Sequence, residues 1–82
     1  MGRKPNILVI GATGFIGSRL VKRLVEHGNK PRILARKQSN LALLSEIDKK
    51  KIEIFYGDVT NKGQLRKAIR GSDYVFNISG VL

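Results

Sequence analysis

The sequence predicts a three-layer α/β fold, a four-stranded parallel sheet with three helices. Over 82 residues, four short apolar runs alternate with amphipathic segments in the order β-α-β-α-β-α-β, joined by short connections. The first run is apolar on both faces, which is typical of a parallel strand covered on both sides. Right-handed crossovers then give strand order 3-2-1-4, an incomplete doubly wound domain that occupies residues 1–82.

The first strand and helix enclose three glycines. Ile7–Ile10 is the strand, and Gly11, Gly14 and Gly17 follow at a spacing of three. The next helix has one apolar stripe, and Gly28 is expected to end that helix in the left-handed conformation. The stripe consists of Ile16, Leu20, Val21, Leu24 and Val25.

The second strand is expected at 32–36, after Pro31, which cannot donate to a sheet. Ser39 is a suitable N-cap for a short helix that runs to Ile47, and a basic turn follows at 49–51. The buried side of that helix would be Leu41, Leu44 and Ile47.

The third and fourth strands are expected at 52–56 and 74–78. Asn61 and Gln64 have the spacing of a capping box at the start of the third helix, and Gly71 would end that helix. Its apolar side is Leu65, Ala68 and Ile69.

The composition excludes several classes of protein. No apolar run is long enough to cross a bilayer or to form the core of a signal peptide, and there is no cysteine for a disulfide or a thiolate metal site. We therefore expect a cytoplasmic chain with no membrane partner and no metal.

The net charge of +10 invites a nucleic-acid interpretation. The basic residues, however, are scattered, and no base-reading or aromatic-stacking motif accompanies them. We expect no specific nucleic-acid partner, although nonspecific binding that weakens with salt would be unsurprising.

The glycine turn predicts a phosphate site. Gly11 allows the tight turn, Gly14 lets the backbone approach a pyrophosphate, and Gly17 lets the helix pack closely. Amides near Thr13, Phe15 and Ile16 would be unpaired donors at the helix start. The spacing is G-x-x-G-x-x-G rather than the G-x-G-x-x-G of the dinucleotide fingerprint.

Taken with its flanks, G-A-T-G-F-I-G resembles the cofactor motif of the extended and atypical short-chain dehydrogenase/reductases, which include dihydroflavonol-reductase-like and epimerase-like proteins. The segments 57–60, 71–76 and 77–80 match the same pattern. The resemblance covers all 82 residues but only the opening part of a family member. It implies a Rossmann-like domain in which Asp58 meets the adenine amino group, Val59 belongs to the cofactor site, and Ser79 and Gly80 border the adenosine or ribose.

The end of the second strand selects the cofactor. NAD sites carry a carboxylate there, whereas this chain has Arg36 and Lys37. A guanidinium can hold a 2′-phosphate through paired charge-assisted bonds, and Arg36 matches the arginine that selects NADP in the family. Lys37 and Ser39 could assist. We expect NADP rather than the alternative, NAD.

Catalytic residues of the family are not found. Carbonyl-reducing members use Tyr-x-x-x-Lys, but Thr60 follows Tyr56 by four residues and Ile78 follows Tyr74. We therefore expect the NADP(H)-binding N-terminal portion of an oxidoreductase or epimerase, not catalytic by itself. The alternative is a non-catalytic nucleotide-binding or redox-sensing module (NmrA-like).

The far edge of the fourth strand is expected to be bare. Uncovered apolar edges invite pairing with another chain. The chain is thus expected to be a fragment of a longer protein, or to associate with itself through that edge.

Overall fold

A computed structural model describes residues 4–79, which form a four-stranded parallel sheet. The strands are β1 (Ile7–Ile10), β2 (Arg32–Ala35), β3 (Glu53–Tyr56) and β4 (Tyr74–Asn77), and the α-helices are α1 (Phe15–Glu26) and α2 (Lys62–Ile69). The strand order is β3-β2-β1-β4. The fold class and strand order predicted from the sequence are therefore confirmed.

The core lies in two layers, one on each face of the sheet. β1 is buried along its whole length, so its alternating side chains enter both layers. Ile7 and Val9 pack with Val21 of α1, whereas Leu8 and Ile10 pack with Ala68 of α2. The continuous apolar run of β1 is explained by this covering on both faces.

Among residues 4–79, the fourth strand is paired on one side only. β4 pairs with β1, with Leu8 opposite Val75 and Val9 opposite Phe76, and all four β4 residues are exposed. Tyr74 is 59% exposed and Phe76 is 41% exposed. This agrees with the bare edge expected from the sequence.

Helix α1 ends as predicted, but its apolar stripe is shorter than predicted. Gly28 has φ +85°, and Asn29 N–H donates to the Leu24 carbonyl in a Schellman motif. Ile16, which was expected in the stripe, is 71% exposed. The first turn contacts the fold through the buried residues Gly17 and Ser18, so Ile16 faces away from the core.

The second predicted helix is wrong. The segment forms only a 3₁₀ turn at Ala42–Leu44 and another at Lys49–Lys51. Ser39 caps no helix, because its Oγ accepts from the Arg36 N–H at 3.0 Å and closes the turn after β2. The apolar positions were nevertheless assigned correctly: Leu44 is buried, with Leu41 and Ile47 packed against the core.

The capping box of α2 is half correct. Asn61 Oδ1 accepts from the Gln64 N–H at 3.0 Å, as predicted. The Gln64 side chain, however, accepts from the Asp58 N–H and does not return to Asn61. The Asn61 N–H is already bonded to the Asp58 carbonyl at 2.9 Å, so it does not need the glutamine.

Candidate functional site

Gly11 forms a turn that only glycine fits. Its φ is +88°, and a Cβ atom at this position would lie 2.7 Å from the backbone nitrogen of Ser79. Ala12, immediately after it, is fully buried. The turn after β1 is therefore held tightly against the end of β4.

The other two glycines of the motif differ from each other. A Cβ on Gly17 would clash with the backbone of Gly11 and Ala12, so this glycine packs α1 on the turn itself rather than on the strand. Gly14 has φ −85°, and its nearest neighbour would be the Gly11 carbonyl oxygen at 3.8 Å. Nothing in the described part of the protein requires a glycine at position 14.

The start of α1 presents unpaired amides. Its N-cap is Gly14, which has no side chain to accept from them, and the first turn contains no acidic residue. The first backbone bond to close is from the Ser18 N–H to the Gly14 carbonyl at 2.9 Å. The amides of Phe15, Ile16 and Gly17 are thus left as donors at the positive end of the helix dipole.

A cleft of about 310 Å³ opens at the carboxyl ends of the strands, beside this turn. It brings together seven residues predicted as site residues from segments far apart in the sequence: Gly11, Thr13, Arg36, Ser39, Asp58, Val59 and Ser79. Parallel strands place their carboxyl ends at one edge of the sheet, where ligands of such folds bind. The cleft therefore has the expected position.

Arg36 projects from a closed turn. Its N–H donates to Ser39 Oγ at 3.0 Å, and the Ser39 N–H donates back to the Arg36 carbonyl at 3.0 Å. The guanidinium makes no hydrogen bond or ion pair with any residue from 4 to 79, so it can take an anionic ligand. Lys37 does not line the cleft of about 310 Å³. It lines a neighbouring cleft of about 220 Å³, and Arg36 lines both.

Asp58 is ionised and held in a turn. Its Oδ1 accepts from the Thr60 N–H at 2.9 Å and from Thr60 Oγ1 at 2.7 Å. The bond from the Thr60 backbone, followed by the bond from its hydroxyl, lowers the pKa of Asp58 below its ordinary value. Desolvation raises this pKa in part, and the positive charge of Arg36 lowers it further. Asn77 Oδ1 accepts in the same way from Ser79 after β4.

Other predicted residues lie around the cleft rather than in it. Gly14, Phe15 and Ile16 stand exposed at the helix start, and Gly80 lies outside the described residues. Sequence reasoning missed part of the lining, which comes from strand ends and from the turn after β3. These residues are Ile10, Leu34, Ala35, Gly57 and Thr60, and their positions at the ends of the strands were the signal available.

Within residues 4–79, no helix is long and apolar enough to cross a membrane. In the same part of the chain, no group of three or more histidine, cysteine, aspartate or glutamate side chains is placed to hold a metal ion.

Comparison with known proteins identifies the family. The model of a family described as NAD(P)H-binding matches residues 11–80. The chain is 37% identical over 70 residues to sterol demethylase protein B of Methylococcus capsulatus, covering 85% of this chain and 20% of that protein. It is 33% identical over 84 residues to dihydroflavonol 4-reductase of Arabidopsis thaliana, covering 96% and 22%.

A solved structure has the same fold. The structure of AtPrR2 with NADP+ and (+)pinoresinol matches with a TM-score of 0.82 at 26% identity, covering 99% of this chain and 28% of that one. The chain therefore spans less than a third of each of these three proteins. It belongs to the NAD(P)H-binding family, and its relatives include reductases and an epimerase of the extended short-chain dehydrogenase/reductase type.

Proposed function

We propose that this member of the NAD(P)H-binding family binds NADP(H) in the cleft at the carboxyl ends of the strands. The observation that carries the proposal is the presence of two anion-binding features at that cleft, one beside it and one in its lining. One is the start of α1 with its unpaired amides, and the other is Arg36, whose guanidinium has no partner among residues 4–79. A dinucleotide with a 2′-phosphate needs one site for the pyrophosphate and one for that phosphate.

The pyrophosphate is assigned to the glycine turn. The amides of Phe15 and Ile16 would donate to its oxygens, and the open space at Gly14 would let the backbone approach them. Gly11 and Gly17 shape the turn, and Thr13 lines the cleft beside it. Gly14 supports the assignment best, because the protein's own packing gives no reason for a glycine there.

The adenosine end is assigned to the ends of β2, β3 and β4. Arg36 would hold the 2′-phosphate, with Ser39 and, from the neighbouring cleft, Lys37 beside it. Asp58 would accept from the adenine amino group, and Val59 would pack on the base. Ser79 and Gly80 would border the ribose.

We also propose that this chain supplies cofactor binding to an oxidoreductase or epimerase and does not catalyse hydride transfer alone. NADP(H) would carry the hydride, and the chain's residues would hold and orient it. Neither Tyr56 nor Tyr74 begins a Tyr-x-x-x-Lys pair. The coverage of less than a third of the relatives' length supports the same proposal.

Titration of the 82-residue chain with NADPH and with NADH, followed by cofactor fluorescence and calorimetry, tests the proposal. We expect saturable binding of both, with the lower dissociation constant for NADPH. Equal affinity would overturn the assignment to NADP. Binding of neither would overturn the proposed function as a whole.

A further inference from the structure

Gln64, which lies outside the set of predicted site residues, stands in the first turn of α2 and lines the neighbouring cleft of about 220 Å³ together with Asp58. Its backbone N–H donates to Asn61 Oδ1, whereas its side-chain Oε1 accepts from the Asp58 N–H at 2.7 Å. The side chain is free to do so because the Asp58 carbonyl already takes the Asn61 N–H.

Gly57 makes room for this contact. A Cβ atom on Gly57 would lie 3.3 Å from Gln64 Cβ and 3.5 Å from Gln64 Oε1, so the glutamine side chain crosses directly over the glycine. The Gly57 N–H donates to the Ala35 carbonyl at 2.9 Å, which fixes the glycine to the end of β2. The glutamine side chain thus lies over a residue that is bonded to the end of β2.

Three sets of hydrogen bonds then hold Asp58. Its N–H is bonded to Gln64, its carbonyl accepts from Asn61, and its Oδ1 accepts from the backbone and hydroxyl of Thr60. Its other carboxylate oxygen, Oδ2, has no hydrogen bond to any residue between 4 and 79, and the side chain lines the cleft. One acceptor atom of Asp58 therefore remains for a ligand.

We propose that Gln64 is a positioning residue that orients Asp58 toward the base and thereby sets a preference for a 6-aminopurine over a 6-oxopurine. The inference rests on the proposed dinucleotide function. Adenine donates from its 6-amino group, which an ionised carboxylate accepts, whereas hypoxanthine presents an oxygen at the same place and leaves the carboxylate unpaired. Without the Gln64 bond, Asp58 has one fewer restraint on its orientation.

The test compares NADPH with its hypoxanthine analogue, in which an oxygen replaces the 6-amino group and N1 carries a hydrogen. For the unmodified chain we expect a dissociation constant about tenfold lower for NADPH, as one hydrogen bond to a charged group provides. Gln64→Leu removes the acceptor and should bring this ratio near one. Gln64→Glu keeps an oxygen acceptor and should retain the ratio, as should Arg66→Leu, a control on the same helix.

The outcomes are separable. If Gln64→Leu binds NADPH with the unmodified ratio, Gln64 does not position Asp58 and the proposed function stands. If the unmodified chain binds both nucleotides equally well, the preference itself is absent and the inference is wrong. If it binds neither, the inference and the proposed function are both overturned. Should Gln64→Leu fail to fold, Gln64→Ala removes the same acceptor and is read in the same way.

Discussion

Gly11 lies against Ser79. The turn after the first strand can approach the end of the fourth strand this closely because Gly11 has no side chain. A Cβ on Gly11 would be 2.7 Å from the Ser79 backbone nitrogen and 3.0 Å from the Ile78 carbonyl carbon. The Ile78 N–H also donates to the Ile10 carbonyl at 2.8 Å. The turn after β1 is thus fixed by both its backbone conformation and its neighbouring strand.

The two glycines Gly11 and Gly14 should separate stability from binding. Gly11→Ala places a side chain at φ +88° and against Ser79, so we expect it to lower the free energy of unfolding by about 2–4 kcal/mol. Gly14→Ala meets neither obstacle and should cost under about 1 kcal/mol, yet weaken NADPH binding. Urea unfolding and NADPH titration measure the two effects, and a Gly14→Ala protein that binds normally would contradict the pyrophosphate assignment.

Arg36→Ala should remove the preference for NADPH. We expect NADPH affinity to fall by about 10- to 100-fold through loss of charge-assisted bonds to the 2′-phosphate, with NADH affinity nearly unchanged. Arg19→Ala removes the same charge from the exposed side of α1 and is the matched control. Calorimetry on the three proteins measures both affinities. If Arg36→Ala still preferred NADPH over NADH, the assignment of the 2′-phosphate to Arg36 would be wrong.

Asp58 should make stability depend on pH in the acid range. Its pKa in the folded protein lies below the ordinary 3.8, so the unfolded chain binds more protons there and stability rises with pH. This contribution is present above the ordinary pKa and is lost as pH falls through the folded pKa. Urea unfolding from about pH 2 to 6 should show this rise in the free energy of unfolding in the unmodified chain and not in Asp58→Asn. If the free energies of unfolding of the two proteins changed with pH in the same way, this contribution of Asp58 would be contradicted.

Arg32 should be a structural residue of the opposite end of the sheet. Its guanidinium lies 3.2 Å from Glu53 Oε1, and its Nη1 donates to the carbonyls of Ala68 at 2.9 Å and Arg70 at 3.2 Å. These bonds join β2, β3 and the end of α2.

Arg32→Met keeps an unbranched apolar side chain but loses all of these bonds, so we expect about 1–3 kcal/mol of destabilisation. Arg32→Lys should restore only part of this, because one ammonium group cannot replace the planar guanidinium. Thermal and urea unfolding measure both variants. Lys30→Met, an exposed neighbour outside the network, should be nearly neutral; equal losses at the two positions would refute the role of Arg32.

The bare edge of β4 should lead to self-association. Val75 and Phe76 are exposed on an edge strand that carries no charge, and such edges pair with other chains. We expect the sedimentation coefficient to rise with protein concentration, and Phe76→Lys to abolish the rise. Tyr56→Lys introduces a lysine on β3, at the other edge of the sheet, and should leave the concentration-dependent rise unchanged. A monomer at all concentrations would contradict the expectation.

The strands were predictable because their signal is local. Ile7–Ile10 was predicted to the residue, and the other three strands differ by one residue at one end each. Arg36, Ile52 and Ile78 lie just outside the strands to which they were assigned. The prediction of the second helix was wrong because the Ser39 hydroxyl can accept a hydrogen bond either from a helix N-terminus or from the Arg36 amide. In the structure it accepts from the Arg36 amide.

The candidate site was predictable in its residue types and less so in its contacts. The glycine spacing and the arginine after the second strand can be read along the chain. That Gly11 meets Ser79 cannot, since 68 positions separate them and only the pairing of β1 with β4 brings them together. Gln64 was read as a local cap, and its bond to Asp58 depends on a loop geometry that no pattern encodes.

The sequence by itself determined the layered α/β fold, the strand order and the glycine turn, because hydrophobic periodicity and glycine spacing are properties of neighbouring residues. Tertiary structure decided which side chains are held and which remain open to a ligand. The Arg36 guanidinium has no hydrogen-bond or ion-pair partner among residues 4–79, Asp58 is held by Gln64 and Thr60, and Ile16 is exposed. The bonds to Asp58 are local but depend on the geometry of the loop after β3, and the surroundings of Arg36 and Ile16 depend on the packing of segments remote in the chain; hydrophobic and glycine patterns encode neither.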